Sequence, residues 1–215
     1  MVCVLTNLLQ GIPDQNDMKR FFVFPVFIFC SIFSFAQQKD EYVGSIRDYQ
    51  KNYITTHGVV KGNDRKYFRF FPVNANYNIS GAFEKITDTT DITMKTSDGK
   101  TKHYFKYGRV NFTIAGNACK LFLYQSRDLM KTEKYKDYLF IPFTDSTTGD
   151  QSYGSGRYLD FFISDIHNNS LQVDFNKAYN PYCAYTTGFH CPVPPKENNL
   201  PVAIKAGEMA FGKIH

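Results

Sequence analysis

The residues best suited to chemistry gather in the last third of the chain. Arg157 and Asp160 stand in Gly156-Arg157-Tyr158-Leu159-Asp160, and Asp174, Asn176 and Asn180 follow in Asp174-Phe175-Asn176-Lys177-Ala178-Tyr179-Asn180-Pro181-Tyr182-Cys183. Glu197 and Asn198 lie in a proline-rich run opened by Cys191-Pro192, and Glu208 ends Ala206-Gly207-Glu208. An arginine beside carboxylates and amides can hold an anionic or polyhydroxylated ligand through charge-assisted hydrogen bonds. Arg157, Asp160, Asn176, Asn180, Glu197 and Asn198 are therefore the ligand-binding candidates. Two convergent carboxylates, Asp174 and Glu208, are candidates for the acid and base of a glycoside-type hydrolysis. The plainer alternative is a structural network in which these groups satisfy loop carbonyls and one another.

The common catalytic fingerprints are missing: there is no G-x-S-x-G elbow, Walker loop, H-E-x-x-H or C-x-x-C. Tyr153-Gly154-Ser155-Gly156-Arg157 reads as a turn feeding a strand rather than a phosphate cradle. Cys183, His190, Cys191 and Glu208 are of metal-ligating type, but adjacent His190 and Cys191 would strain a closed tetrahedral site. No metal and no cofactor are expected. In an oxidising compartment Cys183 and Cys191 are the natural disulfide pair. A bridge over so short a loop stabilises by about 2–3 kcal/mol on the chain-entropy account. Cys119, inside an apolar alternation, reads as a buried thiol.

The start of the chain indicates where it goes. Lys19 and Arg20 precede the uncharged run Phe21 to Phe35, and Ser34-Phe35-Ala36 offers small residues at the cleavage positions. That is the pattern of a secretory signal peptide over residues 18–36, too short to be a membrane span. Residues 1–17 hold Asp14 and Asp17 and no basic residue, so Met18 is the expected translation start. The product is then an exported chain, periplasmic or secreted, with residues 37–215 as one domain. Its net charge of +5 is mild and its basic residues form no stripe, so nucleic acid is not an expected partner.

The elements that must position these residues follow from periodicity. Tyr42, Ile46, Tyr49 and Tyr53 share one helical face. Beyond Gly58 the period becomes two. Strands are expected at Tyr67–Val73, through Tyr77, Ile79 and Phe83, and in a hairpin turning at Asp98-Gly99. A second pairing joins Val110, Phe112 and Ile114 to Leu121 and Leu123. Further strands fall at Tyr138–Phe143, Tyr158–Ile163, Leu171–Phe175 and Val202–Phe211. The expected fold is mainly β: a single antiparallel sandwich or barrel-like domain, with an N-terminal helix and a long ordered C-terminal loop region.

The run D-F-N-x-A-Y-N-P-x-C, then C-P-x-P-P-x-E-N-x-L and A-G-E, closely resembles the bacterial family catalogued as domain of unknown function 1684. Gly156-Arg157-Tyr158-Leu159-Asp160 and Phe70-Phe71-Pro72 belong to the same match, which spans roughly residues 40–212. The resemblance implies a single-domain, often exported protein, and brings no activity, substrate or cofactor with it. Three functions stay open: a binder of a small molecule or glycan near the C-terminal motif, a paired-carboxylate hydrolase, and a structural or interaction protein.

Overall fold

The computed structural model describes the backbone of residues 23–213 and the side chains of residues 37–213. Segment 1–17 and the side chains of the signal segment 18–36 lie outside the described residues. The chain divides into two compact units, Met1–Tyr42 and Val43–His215. Helix α1 runs from Val23 to Thr56. Among the described residues no helix is long and apolar enough to cross a membrane.

The second unit is built on strands β1 (Asn78–Lys85), β2 (Asp91–Lys95), β3 (Thr101–Ile114), β4 (Asn117–Ser126), β5 (Tyr138–Phe143), β6 (Arg157–Phe162), β7 (Ile166–His167) and β8 (Ser170–Asp174). They form one antiparallel sheet in the order β6-β5-β4-β3-β1-β8-β7, with β2 paired to β3. The mainly β, antiparallel domain with an N-terminal helix is the fold that the periodicity indicated. Alternation sets the faces, because successive side chains of a strand point to opposite sides. Val110, Phe112 and Ile114 of β3, Leu121 and Leu123 of β4, and Leu139, Ile141 and Phe143 of β5 share one core. Phe140, between two of these, joins Tyr124, Tyr104 and Met94 in a second cluster.

The β3–β4 hairpin turns through Ala115 and Gly116, both at positive φ, with Ile114 opposite Asn117. In the β2–β3 turn only Gly99 takes positive φ, so Asp98 does not share that role as expected. The expected helical face is also present: Ile46 is buried, and Tyr49 and Tyr53 are half-buried on the same side.

Two expected strands are not strands. Tyr67–Val73 is mostly irregular after a 3-10 turn (Gly62–Tyr67), and 202–211 is irregular throughout. The two segments still lie side by side. The Phe71 N–H donates to the Gly207 carbonyl at 2.9 Å, the Met209 N–H donates to the Arg69 carbonyl at 2.9 Å, and Phe70 and Glu208 form an isolated bridge. The carbonyls of Ile204, Ala206 and Glu208 are taken instead by the buried arginine described next.

Candidate functional site

Arg157 opens β6 and has no exposed surface. Its Nη1 donates to the carbonyls of Ala206 (2.5 Å) and Glu208 (3.1 Å), and its Nη2 to the carbonyl of Ile204 (2.8 Å) and to Asp145 Oδ2 (2.8 Å). The guanidinium also lies over the rings of Phe71 and Phe143. Asp145 is buried too, and its Oδ1 accepts from the N–H groups of Ile204 and Thr147. Gly156 turns the chain into this position at φ +87°, where a Cβ would meet the Phe143 carbonyl oxygen at 2.5 Å. The arginine thus fastens the C-terminal segment to the sheet. Expected as a ligand contact, its side chain is instead placed wholly inside the protein, bonded to Asp145 and three carbonyls.

The motif asparagines behave alike. Asn198 accepts from the Phe122 N–H (2.8 Å) and donates to the carbonyls of Phe122 (2.9 Å) and Pro142 (2.8 Å). Strands β4 and β5 pair only at Tyr124 and Phe140, so this amide fills the gap where their ladder parts. Asn176 exchanges two hydrogen bonds with the backbone of Asn74, each 2.9 Å, as a neighbouring strand would. Asn180 donates to the Met209 carbonyl at 2.8 Å. All three are buried. Buried backbone groups need partners, and in irregular chain these amides supply them. Asn176, Asn180 and Asn198, expected as ligand contacts, are placed with their amides on the protein's own backbone. Glu197, in the same 3-10 turn as Asn198 (Lys196–Asn198), accepts from Lys106 (2.8 Å) and the Tyr124 hydroxyl (2.5 Å).

The carboxylate pair does not form a site either. Asp174 caps a short 3-10 turn, accepting from the Asn176 N–H at 3.0 Å. Glu208 has no exposed surface and accepts from the Asn180 N–H (2.9 Å), the Tyr185 hydroxyl (2.7 Å) and the Tyr53 hydroxyl (3.3 Å). Burial pushes its carboxyl up to about 7, against those hydrogen bonds, which pull it down. Gly207, at φ +75°, admits this arrangement, because a Cβ there would meet the carbonyl oxygens of Phe175 and Ala178 at 2.6 Å.

The open space lies elsewhere, between the last turns of α1, β6 and the segment 179–192. It is a cleft of about 650 Å³ lined by Tyr49, Tyr53, His57, Tyr158, Tyr179, Tyr182 and Cys191 among others, and it is within the usual size of ligand pockets. Of the expected site residues, Asp160 and Cys191 line it. Asp160 is the one Asp or Glu there among the described residues. Its Oδ1 accepts from the hydroxyls of Tyr138 and Tyr179, both at 2.6 Å, and Oδ2 has no partner among the described residues. The residue keeps exposed surface and opens on the cleft, with the cleft walls around it. That enclosure raises its pKa, while the two phenol hydrogen bonds act in the opposite direction.

The phenols around it are held neutral, since burial raises Tyr49 to about 12 and lifts Tyr53, Tyr158 and Tyr179 further. His57 is neutral as well. Burial foremost, then Lys61 and Arg65, lowers its pKa to about 4, and its Nδ1 accepts from the Val60 N–H at 2.9 Å. Its Nε2 then carries the proton, without a hydrogen-bond partner among the described residues, inside an edge-on cage of Tyr53, Phe68, Tyr182 and Tyr185 rings. Sequence reasoning missed this wall because an aromatic helical face reads as core. Nothing in the spacing joins Tyr49 to Tyr179.

Cys119, Cys183 and Cys191 are all in the thiol form here. Cys183 and Cys191, the expected pair, are neighbours: the Cys183 N–H donates to Cys191 Sγ at 3.3 Å. His190 pairs with Asp98 at 2.7 Å rather than with a thiol. Among the described residues no three metal-ligating side chains converge.

The family model described as protein of unknown function (DUF1684) matches residues 65–209. A solution NMR structure of an uncharacterized protein from Haloarcula marismortui is 27% identical with a TM-score of 0.60, and the match covers 82% of this chain and 96% of that one. The likeness therefore extends beyond bacteria. Comparison with curated proteins finds no match. The matched segment runs from the Phe70-Phe71-Pro72 strip to the buried Glu208, and on that ground the chain belongs to the DUF1684 family.

Proposed function

We propose that this protein is an exported, non-catalytic binder of a small molecule held in the cleft between α1 and β6. The carrying observation is that cleft: about 650 Å³, walled by neutral aromatic rings, with one carboxylate partly unpartnered inside it. Concave, mostly apolar space with a few oriented polar groups is the usual form of a ligand site. A rigid sheet supplies one wall and irregular chain supplies the rest. The hydrolase reading has less support, because Asp160 has no second carboxylate beside it in the cleft. Export rests on the signal pattern of residues 18–36, and the cleft is compatible with either the periplasm or the exterior.

A thermal-shift screen of amines, sugars, polyols and organic acids tests the binding reading. Thr56 lines the cleft and is exposed, so Thr56→Trp should fold and occupy part of the space. Hits on the wild type are expected to weaken about tenfold or more in Thr56→Trp, a loss of about 1.4 kcal/mol. A screen in which no compound is sensitive to Thr56→Trp removes the proposal.

Export also bears on the thiols. In an oxidising compartment an exchange partner's disulfide would accept two electrons and two protons from Cys183 and Cys191, joining the two sulfurs. Intact-mass analysis of exported protein after denaturing alkylation is expected to show a chain starting at Gln37 with one alkylated thiol, Cys119. A chain retaining residues 18–36 would overturn the signal assignment, and three alkylated thiols would overturn the bridge.

A further inference from the structure

Resting on the binding reading above, we propose that the group anchored in this cleft is an organic cation, a substituted ammonium seated against Asp160 between tyrosine faces. The Tyr179 hydroxyl is bonded to Asp160, and that of Tyr53 lies 2.9 Å from the Tyr185 hydroxyl. The Tyr158 hydroxyl donates to the Pro192 carbonyl, and that of Tyr49 to the Lys177 carbonyl at 3.3 Å. A sugar or polyol needs donors along its length, and the protons of these hydroxyls are already engaged. Apart from the His57 N–H inside its ring cage and the exposed Lys102, the walls offer mostly ring surface.

Ring surface of this kind has a chemical preference. The faces of aromatic rings carry negative potential, which attracts cations, and desolvated sites strengthen the attraction. Tyr158 and Tyr179 stand nearly perpendicular, 87° apart with centroids at 5.9 Å, and Tyr53 is tilted 48° to Tyr179 at 6.1 Å. Rings so angled pack edge to face or tilted rather than stacked, and all three line the cleft. Asp160 supplies the charge: two phenols fix its Oδ1 and leave Oδ2 for a partner.

An anionic ligand lacks the matching group. Arg157 is sealed beneath the C-terminal segment, and the positive charge of His190, where protonated, is matched by Asp98. Lys102 also lines the cleft and is exposed as Asp160 is, but among the described residues no hydrogen bond fixes its ammonium, whereas two phenols fix Asp160.

The test is calorimetric titration with choline and with 3,3-dimethylbutan-1-ol, its uncharged isostere, on wild type and Asp160→Asn. Asparagine keeps an oxygen to accept from both phenols, so the variant should retain the wall geometry. Choline is expected to bind about tenfold more tightly than the alcohol, and Asp160→Asn to lose about tenfold for choline alone. Phosphatidylcholine vesicles run in parallel tell a lipid headgroup from a free cation as the source. Binding of either that depends on Asp160 supports the proposal. Equal binding of choline and the alcohol, or choline binding unchanged in Asp160→Asn, overturns the cation while the cleft remains a binding site. Sugars or acids that bind in a Thr56→Trp-sensitive manner while choline does not bind overturn the ligand class alone. If nothing binds in that manner, both readings fall.

Discussion

Arg157→Met is expected to cost about 3–5 kcal/mol of folding stability, the range for removing one partner of a buried ion pair. Against a total near 5–15 kcal/mol for a domain, that leaves the protein marginal or unfolded at 37 °C. The reason is local. The guanidinium neutralises Asp145, which has 1% side-chain exposure, and serves the carbonyls of Ile204, Ala206 and Glu208. Methionine fills the volume but leaves one charge and three carbonyls without it. Arg157→Lys should recover only part, because a single ammonium cannot span the positions that the planar fork reaches. Adding Asp145→Asn to Arg157→Met should also recover part, by removing the stranded charge while keeping Oδ1 as acceptor for the Ile204 N–H. Urea denaturation of the four proteins measures this. A loss below about 1 kcal/mol in Arg157→Met, the range of an exposed pair, would sink the account of Arg157 as a fastener.

The same residue shows what could be read in advance. Strand alternation and turn chemistry are local, and they located β5 at Tyr138–Phe143 and both hairpins of β3 from residue types alone. The C-terminal motif was visible as an unusual concentration of Arg, Asn, Asp and Glu. Its use was not, because a polar group facing a ligand and one holding buried backbone have the same composition. The difference is tertiary: Asn198 reaches Phe122 and Pro142, and Asn176 reaches Asn74, across long stretches of sequence. Alternation also overshot at Tyr67–Val73 and Val202–Phe211, where arginine and asparagine side chains take the place of a ladder. The cleft was illegible for the opposite reason. Its tyrosines come from a helix, a strand and a loop, and only Asp160 among them carried a chemical signal.

Glu208 gives the second large effect, in an unusual direction. Its carboxyl is pushed up to about 7 by burial, from a reference value of 4.5. The folded state therefore holds the proton more tightly than the unfolded state. Its contribution is complete below about pH 4.5, declines as pH rises through the interval to 7, and is lost above it. At 1.36 kcal/mol per unit the span is about 3 kcal/mol. His57 opposes this. Its pKa lowered to about 4 means that stability is lost as pH falls from 6.5 toward 4, as the unfolded imidazole takes up a proton that the folded one refuses. Asp160, raised by its enclosure, acts in the same direction as Glu208. A pH profile of the wild type alone mixes the three, so the informative quantity is the difference from Glu208→Gln. Glutamine keeps an acceptor for the Asn180 N–H and the Tyr185 hydroxyl and nearly the same volume. His57 and Asp160 are common to both proteins and cancel. Urea midpoints at pH 5, 6, 7 and 8 should start close together and diverge, with Glu208→Gln ahead by up to about 3 kcal/mol at pH 8. Parallel profiles would mean that the folded carboxyl titrates like an unfolded one, and the buried network around Glu208 would then have to be open to water.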